Sequence, residues 1–229
     1  MDKKLLALIP AYNEEKSIKK VIENIKDTVD GILVVDDGSE DNTTKYAKEC
    51  GVEVITFREN RGKGVAIREG YKYFINSPYD ICFIFDADGQ YRKDDIMPVC
   101  FPIINDEADI VVGSRFLGEY TEGANINYKI RIACNNISTT VTRIMSGVPT
   151  TDSQSGLVAV NKYAAKQLDL NANRWGIHQE IIIRAGKKGL RYKEVPIIFE
   201  KRMHGVSRLK VLKYPFTAFP VMLKAWMRK

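Results

Sequence analysis

The feature that most constrains this chain is a regular alternation of short, wholly apolar runs with stretches whose apolar residues recur every three or four positions. Leu5-Leu6-Ala7-Leu8-Ile9 is ended by Pro10, and Ile18, Val21, Ile22 and Ile25 follow at helical spacing. Gly31-Ile32-Leu33-Val34-Val35 is closed by the turn Asp36-Asp37-Gly38-Ser39, after which Asp41 or Asn42 is placed to cap a helix running to Cys50. The pattern continues with a strand over 52–57, a helix over 64–74, a strand over 81–85, a helix over 94–104 and a strand over 109–113. Strands that are apolar throughout must be covered on both faces, so the expected fold class is α/β, a mostly parallel sheet between two layers of helices. The 229 residues suffice for a core that needs neither metal nor disulfide to hold it.

Sheets of this kind bind ligands beyond the carboxyl ends of their strands, and the polar residues gather there. Asp36 and Asp37 follow the second strand, Asn60-Arg61-Gly62-Lys63-Gly64 the third, and Asp86-Ala87-Asp88-Gly89-Gln90 the fourth. Aspartates without evident partners at strand ends point to chemistry rather than packing. Asp86 and Asp88 occupy alternate positions, so in extended chain their carboxylates point the same way. Two convergent carboxylates suit a hard divalent cation, Mg2+ or Mn2+, whose shell is completed by water and substrate phosphates, with Gln90 as a further ligand, direct or through water. The glycine-flanked Lys63 just before a helix suits an anion. An Asp-rich turn and a plain helix cap are the competing readings. The P-loop pattern, the dinucleotide pattern G-x-G-x-x-G and the hydrolase pattern G-x-S-x-G are all missing, which removes the kinase-type, dehydrogenase and hydrolase readings.

Charge is uneven along the chain. The net charge is +6, but residues 184–229 hold thirteen Lys/Arg against two Asp/Glu, so a basic tail follows an acidic body. Such a tail calls for a polyanionic partner: nucleic acid, an anionic membrane surface or a phosphorylated substrate. Against nucleic acid stand the lack of any recognised binding motif and the acidic mouth of the sheet, which repels a phosphate backbone. Cys50, Cys82, Cys100 and Cys134 form no C-x-x-C pair and are expected to be four buried thiols. No run of about 18 apolar residues is long enough to span a membrane, and the first residues enter a strand without a signal pattern. The expected compartment is the cytoplasm.

Taken in order, Ile9-Pro10-Ala11-Tyr12-Asn13-Glu14-Glu15, Val35-Asp36-Asp37-Gly38-Ser39, Asn60-Arg61-Gly62-Lys63-Gly64, Asp86-Ala87-Asp88-Gly89-Gln90, Gly113-Ser114-Arg115 and Thr151-Asp152-Ser153-Gln154-Ser155-Gly156 resemble the motifs of family 2 glycosyltransferases, most of all the polyprenyl-phosphate (dolichol-phosphate) mannose and glucose synthases. Each motif is weak alone; six in order are specific. The resemblance implies a Rossmann-like type A glycosyltransferase fold and an inverting, metal-dependent transfer of a hexose from a uridine or guanosine diphosphate sugar. Carried over by position, Pro10, Tyr12, Glu14, Asp37 and Lys63 line the nucleotide pocket, Asp86, Ala87 and Asp88 meet the donor diphosphate, Asp86, Asp88 and Gln90 hold the metal, and Arg115 faces the donor phosphates or the acceptor anion.

Asp152, Gln154 and the segment from Trp175 to Glu180 are then expected on the acceptor side. A hydroxyl acceptor needs a general base there, for which Asp152 or Glu180 is the candidate; a phosphate acceptor needs positioning instead. A helix-start carboxylate without a catalytic task is the competing reading of Glu180, and His178 is read as a packing or hydrogen-bonding residue. The chain departs from its relatives at Gln179, often acidic, and at Gly156-Leu157-Val158, where an arginine is common. The residues from Glu200 to Lys210 resemble a family loop in which Arg202, Arg208 and Lys210, with Ser207, clamp a diphosphate or an isoprenyl phosphate, a solvated basic loop being the competing reading. Residues 1–208 are thus expected to form the catalytic domain. Residues 209–229, apolar and basic with Pro215 and Pro220, are read as an amphipathic segment for peripheral membrane contact, slightly ahead of a helix packed on the domain. Polyprenyl phosphate is the expected acceptor, with a saccharide or other hydroxyl as the alternative and a nucleic-acid-binding protein as the non-enzymatic one. A nucleotidyltransferase would need a glycine-rich loop where Pro10-Ala11-Tyr12-Asn13 stands.

Overall fold

Side chains of β1 (Leu5–Ala11) alternate across a sheet that is buried on both sides: Leu5, Ala7 and Ile9 enter one apolar cluster, Leu6 and Leu8 the other. The computed structural model describes residues 3–120, 126–174, 176–200, 202 and 214–228. Six further strands join β1: β2 (Gly31–Asp36), β3 (Glu53–Thr56), β4 (Ile81–Ile84), β5 (Ile110–Tyr120), β6 (Val158–Asn161) and β7 (Tyr192–Phe199). Their order is β3-β2-β1-β4-β6-β5-β7. All neighbouring pairs are parallel except those of β6, which runs antiparallel to both β4 and β5. The expected α/β class and mostly parallel sheet hold.

One helical layer holds α1 (Ile18–Ile25), α2 (Thr43–Glu49) and α4 (Ile96–Ile104), and the other holds α3 (Lys63–Asn76), α6 (Lys162–Gln167) and α7 (Ile177–Lys187). The α1 residues Ile18, Val21, Ile22 and Ile25 are all buried, the single stripe that their spacing predicts. Four expectations need correction. The strand expected over 52–57 is a four-residue edge, Glu53–Thr56, with Val54 and Ile55 half-buried and its two ends exposed. At the start of α2 it is Asp41, outside the cap position, whose Oδ1 accepts from the Thr43 N–H at 3.0 Å, while Asn42 makes no side-chain cap bond. The helix expected from 94 starts as a 3-10 turn, Lys93–Asp95. Of the four cysteines, Cys82 and Cys100 are buried but Cys50, just past the end of α2, and Cys134, on the helix Ile126–Ser146, are half-buried.

Two helices lie outside the layers, α5 (Ile126–Ser146) and α8 (Tyr214–Met227). α8 seats Ala218, Met222 and Ala225 against Ile183 of α7, with Val141 and Met145 of α5 beside them. Its outer face is apolar too: Phe219, Trp226 and Met227 are exposed, as are Ile137 and Ile144 of α5. Among the described residues no helix is long and apolar enough to cross a membrane.

Candidate active site

The turns beyond β1 and β2 are tied together before any ligand is considered. Asn13, at φ 53°, is in the left-handed region that asparagine tolerates. Its N–H donates to Ser39 Oγ at 2.8 Å, and its Oδ1 accepts from the Glu40 N–H at 2.9 Å. Asp36 accepts from the Ser39 N–H at 3.0 Å and from the hydroxyls of Ser39 and Thr44. Asp37 accepts from the N–H groups of Arg61, at 2.7 Å, and Gly62, at 2.8 Å, and from Asn60 Nδ2 at 3.0 Å. Packing therefore does account for these two aspartates, contrary to the sequence reading: they fold the loops that shape the cleft. Burial still pushes the Asp37 carboxyl up, against the backbone donors that pull it down.

The cleft that results has a volume of about 270 Å3 and opens at the carboxyl ends of β1, β2 and β4. All eight residues expected around the nucleotide sugar line it: Pro10, Tyr12, Glu14, Asp37, Lys63, Asp86, Ala87 and Asp88. Asn60, Gly62, Ala66 and Arg174 join them. Arg174 lies in a stretch without a motif, so no sequence signal marked it. Gly62 adopts φ 101°, and a Cβ there would strike the Asn173 carbonyl.

At the floor, Lys63 Nζ donates to Asp86 Oδ1 at 2.6 Å. Arg202 donates to Asp88 Oδ2 at 2.6 Å and to Glu14 Oε1 at 3.2 Å. Arg202 was expected to clamp a diphosphate or an isoprenyl phosphate; its guanidinium lies in the cleft, on Asp88. Ser207, Arg208 and Lys210, the other members of that clamp, fall outside the described residues. Burial raises the Asp86 carboxyl, but the charge and hydrogen bond of Lys63 outweigh it and the net shift is downward. Burial and then the Asp86 charge hold Asp88 up at about 6, despite Arg202. The two carboxylates are matched in charge by Lys63 and Arg202, and their oxygen donors fit a hard cation that takes the place of these partners. Among the described residues no group of three His, Cys, Asp or Glu side chains converges, so other donors must complete the shell. Gln90 lies on the same turn, its N–H donating to Asp88 Oδ1 at 3.1 Å and its Nε2 to the Glu200 carbonyl at 2.9 Å. Behind Asp86, a Cβ on Gly156 would stand 2.8 Å from Asp86 Oδ2 and 2.9 Å from the Tyr91 hydroxyl, which takes the Gly156 N–H at 2.6 Å.

The residues expected on the acceptor side, Asp152, Gln154 and Glu180, are not among those that line this cleft. Asp152 is fully buried and grips Arg115 with both oxygens, at 2.6 Å to Nε and 2.8 Å to Nη2. Its Oδ1 also accepts from the Gln154 N–H at 3.2 Å. Burial raises the Asp152 carboxyl, but the Arg115 charge and hydrogen bonds bring it below the usual range. The Arg115 guanidinium lies over the Phe199 ring, 5.1 Å from its centroid. Glu180 is buried as well, and its oxygens accept from the N–H groups of Asn171, at 3.0 Å, and Ala172, at 2.7 Å, and from Arg228 at 3.2 Å. All of these partners belong to the loop before α7 and to the residue after α8, and Glu180 is not among the residues that line the cleft. His178 is buried beside the charges of Lys63, Asp86, Arg115 and Asp152; burial, then Lys63, lowers it to about 3, and its Nδ1 has no hydrogen-bond partner among the described residues.

A cleft at the carboxyl ends of parallel strands, floored by a paired-aspartate turn next to an antiparallel strand, is the architecture of a type A glycosyltransferase. The chain belongs to glycosyl transferase family 2, whose family model matches residues 7–167. It is 40% identical over 216 residues to the UDP-N-acetylglucosamine–dolichyl-phosphate N-acetylglucosaminyltransferase of Methanococcus voltae, covering 86% of this chain and 85% of that one. It is 30% identical over 217 residues to the undecaprenyl-phosphate mannosyltransferase of Micrococcus luteus, covering 90% and 87%. The fold matches glucosyl-3-phosphoglycerate synthase from Mycobacterium tuberculosis, crystallised with Mn2+, uridine diphosphate and phosphoglyceric acid, with a TM-score of 0.76 at 20% identity over 99% of this chain and 80% of that one. The chain is a family 2 glycosyltransferase similar to the polyprenyl-phosphate sugar transferases, as its motifs led one to expect.

Proposed function

We propose that the enzyme transfers a hexose from a nucleotide sugar to a polyprenyl phosphate, inverting the anomeric carbon, with Mg2+ or Mn2+ at the donor diphosphate. The observation that carries the choice of acceptor is the commitment of the two carboxylates that a hydroxyl acceptor would need. Asp152 is held by Arg115 and shifted down, and Glu180 is spent on backbone amides and Arg228. His178, at about 3, is a weak base. A phosphate is already a nucleophilic anion, so what it requires is a fixed cation in the right place. Arg115, clamped by Asp152 and flattened on Phe199, answers that need. This favours a phosphate over a saccharide hydroxyl, and the acidic floor disfavours nucleic acid.

On the donor side, Tyr12 supplies an aromatic face for the base, while Glu14, Asp37 and Asn60 offer polar edges to base and ribose. The M. voltae relative is named for a uridine diphosphate sugar and the M. tuberculosis neighbour was crystallised with uridine diphosphate, which supports a uridine donor over a guanosine one. Asp86, Asp88 and Gln90 are the residues we assign to the metal. When bound, a divalent cation offsets the charge that develops on the departing nucleoside diphosphate. Lys63, now on Asp86, is within reach of the same phosphates and adds a second positive charge there. Exposed Phe219, Trp226 and Met227 of α8 and Ile137 and Ile144 of α5, with Lys187 stacked 5.9 Å from the Trp226 ring centroid, support a peripheral seat on an anionic cytoplasmic membrane face.

A thermal-shift panel of uridine and guanosine diphosphates, with and without Mn2+, tests the donor half. A ligand that binds only the folded state raises its stability by mass action. A Mn2+-dependent shift with one nucleotide is expected; no shift with either would refute the donor assignment.

A further inference from the structure

Residues 168–174, between α6 and α7, contain no motif, yet they form one wall of the donor cleft. The Gly64 N–H donates to the Asn173 carbonyl at 3.0 Å, Arg68 donates to Asn173 Oδ1 at 2.9 Å, and Arg174 lines the cleft. Contact is so close that a Cβ on Gly62 or Gly64 would collide with the carbonyl of Asn173 or Ala172. Little in the local sequence makes this wall rigid. Asp169 even adopts φ 41°, a left-handed conformation that a non-glycine residue keeps only where its surroundings impose it.

Those surroundings are α7 and α8. Glu180 takes the N–H groups of Asn171 and Ala172, at 3.0 and 2.7 Å. Arg228, just past α8, donates to Glu180 at 3.2 Å and binds both the carbonyl and the carboxylate of Asp169. Its own carbonyl accepts from Arg184 at 2.8 Å, and Arg184 also donates to the Leu168 carbonyl at 3.3 Å. At the other end of the segment, Gly176 packs on Val221 of α8 so tightly that a Cβ would lie 3.0 Å from it. A buried carboxylate such as Glu180 needs these partners, because an uncompensated charge in the interior is strongly unfavourable.

We propose that Glu180 and Arg228 are positioning residues for nucleotide binding: together they fix residues 169–173, which fix the Gly62–Gly64 turn and with it the cleft walls at Lys63 and Arg174. The C-terminal helix is thereby part of the donor-binding unit rather than an appendage to it. The inference rests on the reading of the cleft as a nucleotide-sugar site.

The test is calorimetric titration of uridine diphosphate with Mn2+ into the full chain, comparing wild type with Arg228→Ala, Arg228→Lys and Glu180→Gln. Arg191→Ala is the control: it breaks an ion pair with Asp106 and Asp109 at the amino ends of β5 and β7. Loss of a charge-assisted bond on the relay should weaken nucleotide binding about tenfold in Arg228→Ala and Glu180→Gln. Arg228→Lys should recover most of it, and Arg191→Ala should match wild type. The donor KM should rise with little change in the acceptor KM, and the amides of 171–173 should exchange hydrogen faster in the absence of ligand. Glu180→Gln preserves volume and serves if Arg228→Ala does not fold. Wild-type affinity in both relay variants would overturn the inference while leaving the donor site standing. Failure of wild type to bind any nucleotide would instead remove the donor reading, and this inference with it.

Discussion

Replacing Asp152 with Asn separates a carboxylate that positions Arg115 from one that acts as a base. Asp152 has no solvent exposure and meets Arg115 through two short bonds, 2.6 and 2.8 Å. Asparagine keeps the shape, but its amide nitrogen faces a guanidinium N–H, so one bond is lost and the other loses its charge assistance. A hydrogen bond to a charged group is worth a net of about 1.5–3 kcal/mol. About 2 kcal/mol, or about 30-fold, should therefore be lost from kcat/KM for the lipid phosphate, mostly through KM. Alanine leaves the guanidinium facing a void, which should remove about 3–5 kcal/mol of stability and lower Tm by roughly 10 °C. The sign of the pH effect follows from a carboxyl shifted down in the folded state: the pair contributes stability above the unfolded pKa and loses it as pH falls through the folded one. The Asn variant should lack that acid limb in thermal melts run below the unfolded value of 3.8. The assay is steady-state transfer at saturating donor from pH 6 to 9. A base would show instead a kcat loss of about 10^2–10^4, an unchanged acceptor KM and an altered pH profile; that outcome would refute the positioning role and with it the case for a phosphate acceptor.

Asp88, held up at about 6, binds a proton in competition with a cation, so Mn2+-dependent nucleotide binding should weaken as pH falls below about 6, and Asp88→Asn should abolish it at every pH; calorimetry at pH 5 and 7.5 checks both. The same upward shift means that the metal-free fold gains stability from this group at low pH and loses it as pH rises from the unfolded value of 3.8 to about 6, which a thermal melt in chelator should register and added Mn2+ should reverse. Gly156→Ala would place a methyl 2.8 Å from Asp86 Oδ2; donor KM should rise at least tenfold while the circular dichroism spectrum stays native. Trp226→Ser with Met227→Ser alters exposed side chains only, so sedimentation with anionic liposomes should drop while Tm changes little; unchanged sedimentation would count against this face as the membrane seat.

The cleft proposed for the donor was legible as a gathering of residues because they sit in contiguous motifs at the ends of local βα units. Asp37, Lys63, Asp86 and Asp88 each follow a strand that is apolar enough to recognise, and parallel pairing brings those ends together. The rest of the site depends on contacts distant in sequence. Asp152 meets Arg115 across 37 positions, and Arg202 reaches Asp88 across 114. β6, only Val158–Asn161, is too short to announce itself and enters the sheet in the reverse direction. Glu180 illustrates the limit most plainly. A carboxylate at a helix start looks the same in sequence whether it faces a substrate or the N–H groups of a neighbouring loop, and only the fold distinguishes them.

The most direct measurement is transfer itself: radiolabelled nucleotide sugar and Mn2+ incubated with the full chain and, in parallel, polyprenyl phosphate, the corresponding free polyprenol, and a soluble saccharide. Label should move into the organic phase only with the phosphate, as a lipid-linked sugar of inverted anomeric configuration. Equal or greater transfer to the saccharide or the free alcohol would contradict the phosphate-acceptor mechanism at its centre.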